Sequence, residues 1–126
     1  MPAAPFDHGE LIALDSESVG DAVVVHVTGE LDLPTAAAAD AELARAVDSG
    51  ARAVVVDLDK VHFLGSSGLR VLLTVRDKAE QGGVDLRLVC QERVVVRPLE
   101  VTGLLSAFQI HPSVREAVDA AAQRAR

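Results

Sequence analysis

Hydrophobic and polar positions along the 126 residues change period several times, so strands and helices are separated here by period, propensity and chain breakers taken together. Leu11-Ile12-Ala13-Leu14 is a short apolar run, and Val23-Val24-Val25-His26-Val27-Thr28 is rich in β-branched residues and closed by Gly29. Both predict strands, paired as a hairpin across Ser16 to Asp21. Pro34 stands at the first-turn position that a helix tolerates, and Ala36 to Val47, dense in alanine with Leu43 and Val47 as a core stripe, predicts a helix that ends near Gly50. Ala53-Val54-Val55-Val56-Asp57-Leu58 is nearly continuous in β-branched residues and predicts a central strand buried on both faces. After Ser66-Ser67-Gly68, the residues Leu69, Leu72, Leu73 and Arg76 recur at i, i+3, i+4 and i+7, with Val71, Val75 and Ala79 widening the stripe. Gly82-Gly83 ends this helix, the best defined in the chain, and Leu86 to Cys90 is a further strand.

Strand, helix and strand in that order form a βαβ unit, whose crossover makes the two strands parallel and the connection right-handed. Beyond Cys90, Val94-Val95-Val96 leads to Pro98, which either opens a short helix or kinks a longer one. Leu104 to Ile110 predicts a short edge strand, and Ser113 after Pro112 predicts the cap of a last helix carrying Val114, Ala117, Val118, Ala121 and Ala122. No internal repeat or linker is visible.

Composition narrows the function. The length suits one domain, and a chain that is 49% hydrophobic and 25% charged can bury a core. Two lysines and ten arginines against 19 acids leave a formal charge of −7, which argues against nucleic acid as a partner. A single cysteine, Cys90, makes no intramolecular disulfide and points to a reducing compartment. The start, Met1 to Asp7, has no basic and apolar leader, and no stretch is apolar enough to span a bilayer, so the expected location is the cytoplasm with no membrane insertion.

The most informative segment is Val61-His62-Phe63-Leu64-Gly65-Ser66-Ser67-Gly68-Leu69, between the carboxyl end of the central strand and the amino end of a helix. Open α/β sheets place functional groups there. The free N–H groups of a helix start carry an effective charge of about +0.5, so a phosphoryl group on Ser66 or Ser67 suits that field. The plainer reading makes one serine an N-cap and the two glycines the means of a tight bend. Enzymatic readings fail on spacing: Gly-x-Ser-x-Gly, the phosphate-cradling Gly-x-x-x-x-Gly-Lys-Ser/Thr and the dinucleotide Gly-x-Gly-x-x-Gly are all missing. A small hydrolase built on Ser66 would also lack an identifiable base and oxyanion hole. His8, His26, His62 and His111 are scattered over tail, strand, loop and helix start with no pair at ligand spacing, so no metal site is expected. Glu30, Asp32, Asp57 and Asp59 fall near the same sheet end and read as solvated turn residues, with Asp32 also suited to cap the first helix.

Gly29-Glu30-Leu31-Asp32 with Thr35-Ala36, then Val55-Val56-Asp57-Leu58 leading into Val61 to Leu69, then Thr102-Gly103-Leu104 and Phe108, resemble the STAS domain of bacterial anti-sigma factor antagonists. The similarity runs from about Leu11 to Val118, and its most specific parts are the Gly-Glu-Leu-Asp turn and the Phe-x-x-Ser-Ser-Gly-Leu loop at the family's separation. The resemblance implies an α/β fold, with a flexible tail over 1–10 and one STAS domain over 11–126. Its mixed sheet would have about four to five strands with a parallel βαβ core, covered by about four helices. It implies a protein that binds an anti-sigma factor to release a sigma factor. Phosphorylation by that partner, an ATP-dependent serine kinase, would switch it off, and a phosphatase would reset it. The phospho-acceptor falls on Ser66. The implied partner-binding residues are Glu30, Asp32, Thr35, Gly65, Ser67, Gly68, Leu69 and Arg70. No cofactor is implied on this chain, since ATP belongs to the partner, and no catalysis is implied either. The residue before the acceptor, often Asp in this family, is Gly65 here, and Pro98 departs from an uninterrupted third helix. Similar STAS domains also serve as accessory subunits of transporters or larger signalling assemblies, which is the alternative function.

Overall fold

The computed structural model describes residues 11–125, so the expectation of a flexible tail over residues 1–10 lies outside them. Strands β1 (Ile12–Val19) and β2 (Ala22–Leu31) form an antiparallel hairpin; β3 (Ala53–Leu64), β4 (Asp85–Val89) and β5 (Gln109–His111) follow, each parallel to the one before. The result is a five-stranded mixed sheet in sequential order, the α/β architecture expected. Its helices are α1 (Ala36–Val47), α2 (Ser66–Gly82), α3 (Arg93–Val101) and α4 (Val114–Arg124).

Alternation along the strands divides the core. Val25, Val27 and Leu31 of β2, Val54, Val56 and Leu58 of β3, and Leu88 of β4 face α1, α2 and α3, which contribute Ala39, Leu43, Leu72, Val75, Val95 and Leu99. Each leucine so buried contributes about 1.5–3 kcal/mol. The opposite face presents Val24, Val55 and Val89 to Ala117 of α4. Helix α4 is capped as the sequence predicts: the Glu116 amide donates to the Ser113 hydroxyl at 3.1 Å.

Four boundaries differ from the sequence reading. The hairpin turn is only Gly20-Asp21, with Gly20 at φ +61°, because β1 continues through the polar stretch Asp15 to Ser18 as an exposed edge strand. β3 runs to Leu64, past the acids that break its apolar pattern. Pro98 lies inside α3, which starts at Arg93, so the proline does not open the helix. The expected strand from Leu104 to Ile110 is instead a 3-10 turn, Leu105–Ala107, followed by the three residues of β5. Here Gly103 at φ +76° reverses the chain, and the Leu104 amide returns to the Leu99 carbonyl at 2.8 Å.

Candidate functional site

The carboxyl end of β3 runs into α2 through Gly65, the N-cap residue, with Ser66 as the first helical residue. Ser66 and Arg70 are exposed, Ser67 and Leu69 partly buried, and Gly68 buried. The Leu69 amide donates to the Gly65 carbonyl at 3.0 Å and closes the first turn. Neither serine caps the helix, so the plainer reading of this pair does not apply. An anion from elsewhere sits at the helix start: the Ser67 amide donates to Oδ1 of Asp32 at 3.3 Å. Favourable charge at a helix start and satisfaction of an otherwise unpaired donor thus come from the end of β2.

The two glycines make this approach possible. A β-carbon on Gly65 would lie 2.3 Å from Cγ and Oδ1 of Asp32, and one on Gly68 would lie 2.3 Å from the Leu31 carbonyl oxygen. Gly65 has an ordinary φ of −97°, so space and not backbone freedom calls for glycine there. The Gly65 amide also donates to the Leu31 carbonyl at 3.0 Å, fastening the loop to β2.

The segment Glu30 to Thr35 forms the neighbouring wall. Asp32 is the N-cap residue of a 3-10 turn, Leu33–Thr35, that leads into α1. Thr35 is 1% exposed; its hydroxyl donates to the Glu30 carbonyl at 2.8 Å and accepts from the Asp32 amide at 3.1 Å. Of the residues read as partner-binding, Thr35 and Gly68 therefore shape the surface from behind, whereas Glu30, Asp32 and the loop around Ser66 lie at it. Two apolar side chains absent from that set stand out: Leu33, directly after Asp32, is 75% exposed, and Phe63, just ahead of Leu64-Gly65, is 47% exposed. A leucine between Asp32 and Pro34 with no periodic partner was the sequence signal for the first.

The remaining acids and histidines of the sequence reading resolve into other environments. Glu30, on β2, and Asp57 and Asp59, on β3, are strand residues, not solvated turn residues. His26 bridges three strands, with Nε2 2.6 Å from Glu17 Oε2 on β1 and Nδ1 2.7 Å from Asp57 Oδ2 on β3. The hydrogen bond to Glu17, with that to Asp57, outweighs burial and raises its pKa above 6.5. Asp59 has a buried oxygen without a hydrogen-bond partner, and burial, then the charges of Asp57 and Glu92, raise its pKa. His111 ends β5, where Arg87 lies 3.1 Å from its Nε2; burial and then that guanidinium lower its pKa. Burial pushes the Cys90 thiol up to about 11. Among the described residues no cluster of three or more His, Cys, Asp or Glu could hold a metal ion, and no helix is long and apolar enough to cross a membrane.

Comparison with known proteins agrees with this architecture. The STAS domain family matches residues 13–117. The anti-sigma-F factor antagonist RsfB of Mycobacterium tuberculosis is 35% identical over 95 residues, covering 75% of this chain and 77% of the relative. An anti-sigma factor antagonist from Mycobacterium paratuberculosis superposes with a TM-score of 0.82 at 32% identity, covering 87% of this chain and 93% of that one. The anti-sigma factor antagonist SpoIIAA of Bacillus shares the fold: its unphosphorylated form matches with a TM-score of 0.71 at 24% identity over 85% of this chain and 94% of its own, and its phosphorylated form with 0.66 at 23% over 90% and 100%. By the matched domain and the likeness to RsfB, this chain belongs to the STAS-domain family of anti-sigma factor antagonists.

Proposed function

We propose that this chain binds an anti-sigma factor through the Ser66 loop and the Glu30–Thr35 turn, so that a sigma factor is released, and that phosphorylation of Ser66 ends the binding. The observation that carries this reading is the exposure of the Ser66 side chain on the first residue of α2. A visiting kinase can reach it, and a partner docked over the loop can read it. Leu33 and Phe63, exposed on the segments flanking the site, supply the apolar anchors that protein interfaces concentrate at their centres. The chain itself acts as a binding module; the catalytic groups and ATP belong to a kinase partner, and a phosphatase resets the switch.

In the switching step the Ser66 hydroxyl oxygen bonds to the γ-phosphorus of ATP, the bond to the β-phosphate oxygen breaks, ADP leaves, and the hydroxyl proton is released. The product carries roughly −1.5 to −2 more charge. Desolvating that charge against a partner surface costs several kcal/mol, and each 1.4 kcal/mol is about tenfold in affinity. Arg70, exposed and one turn along from Ser66, is placed to pair with the phosphate. The test is binding of wild type, Ser66→Ala and Ser66→Glu to a kinase-type anti-sigma factor: Ser66→Ala should bind like wild type and Ser66→Glu far more weakly. Equal affinities would remove the reading.

A further inference from the structure

The start of α2 is already occupied by an anion in the unmodified protein. Asp32 Oδ1 accepts from the Ser67 amide, and its carboxylate fills the space where a side chain at 65 would begin. Ser66 lies between those two residues. A phosphoryl group on it enters the same small region with at least as much negative charge and three acceptor oxygens. Like charges at this range repel, and the helix start offers few free donors for both.

We propose that Asp32 is the internal anion of the switch: the phosphoryl group on Ser66 takes over its place at the start of α2 and expels the carboxylate from it. This rests on the reading of Ser66 as phospho-acceptor and extends it. Phosphorylation then acts twice, by adding charge at the loop and by turning the Asp32 carboxylate out beside Leu33.

Three features define the displacement. Asp32 and Leu33 are adjacent in the chain, so a carboxylate that swings away about its own side-chain bonds changes the charge beside the 75%-exposed leucine. The backbone of the turn is held by the Thr35 hydroxyl's bonds to Glu30 and Asp32, the Thr35 amide's bond to the Asp32 carbonyl and the Gly65 amide's bond to the Leu31 carbonyl, so the side chain moves while the turn stays. Gly65 leaves the space beside the loop to the carboxylate, whereas a side chain there would compete with it permanently.

The test uses protein with phosphoserine encoded at position 66, so that no kinase is needed, and compares amide spectra with and without Asp32→Asn. In the unmodified protein, Asp32→Asn should shift the Ser67 amide, its direct donor. In the phosphorylated protein the same substitution should leave the Ser67 amide nearly unmoved, and phosphorylation itself should shift the amides of Leu33 and Thr35. If Asp32→Asn shifts the Ser67 amide equally in both forms while the amides of Leu33 and Thr35 do not shift, Asp32 is not displaced and the proposal is wrong. Affinity for the anti-sigma factor is read separately. Unchanged affinity on phosphorylation would overturn the functional reading while the spectra still decide the displacement.

Discussion

The β-carbon that Gly65 lacks would lie 2.3 Å from the carboxyl carbon of Asp32, so the glycine and the carboxylate fit one another across 33 residues of chain. Such a pair has a thermodynamic signature. Gly65→Ala should destabilise the fold by about 1 kcal/mol or more, because the alanine dislodges a carboxylate that acts as a helix cap, and cap losses run to about 0.5–2 kcal/mol. Asp32→Ala should cost a similar amount through the same lost cap. The double variant should then cost clearly less than the sum, with a coupling of about 0.5 kcal/mol or more in denaturant unfolding. Strict additivity would mean that the two positions do not compete for space.

Much of this architecture is legible in the sequence because it is local. The β-branched run Ala53 to Leu58, the i, i+3, i+4 stripe of α2 and the Ser113 cap are each written within a few consecutive residues. What stays hidden is what depends on contacts far along the chain. The cap of α2 comes from Asp32, 35 residues before the amide it satisfies. Arg87 has an alternation that suits a strand, yet its side chain is only 7% exposed, sheltered because Asp85 and His111 satisfy it. The polar half of β1 reads as a turn because an edge strand that is wet on both faces has no hydrophobic period to show. Ser66 was legible as a candidate from its place between strand and helix; its freedom from capping duty was not, since that depends on Asp32.

Two histidines should set opposite limbs of the stability profile. His26 has its pKa raised above 6.5, so the Glu17–His26–Asp57 bridge contributes fully below that pH and is lost as pH climbs through the raised value. His111 has its pKa lowered from 6.5, so stability is lost as pH falls below 6.5 toward the depressed value, where the unfolded chain takes up a proton that the fold refuses. Melting temperatures against pH should show His26→Gln flattening the alkaline decline and His111→Gln flattening the acid one. Unchanged limbs would contradict the assignments.

Leu33 and Phe63 should matter more for binding than for folding. Leu33 is largely solvated in the free protein, so Leu33→Ala should change stability by no more than about 0.5 kcal/mol, and Phe63, about half buried, should cost about 1–2 kcal/mol on truncation to alanine. Affinity for the anti-sigma factor should fall about tenfold or more for at least one of them, as for a buried interface anchor. Calorimetric titration beside a melting curve separates the two effects, and wild-type affinity in both variants would place the interface elsewhere.

Arg70 should reveal itself through the phosphate. A guanidinium one turn away favours the dianion, so the phosphoserine second pKa, about 6 when unperturbed, should rise in Arg70→Ala. Phosphorus NMR titration of the two phosphorylated proteins measures this, and identical values would leave Arg70 as a solvated helix residue.

The most direct test of the account is calorimetric titration of a kinase-type anti-sigma factor with unmodified protein and with protein bearing phosphoserine at 66. The account predicts tight binding of the first and a loss of about a hundredfold or more for the second, with both forms equally folded by circular dichroism. Equal affinity of two folded forms would contradict it.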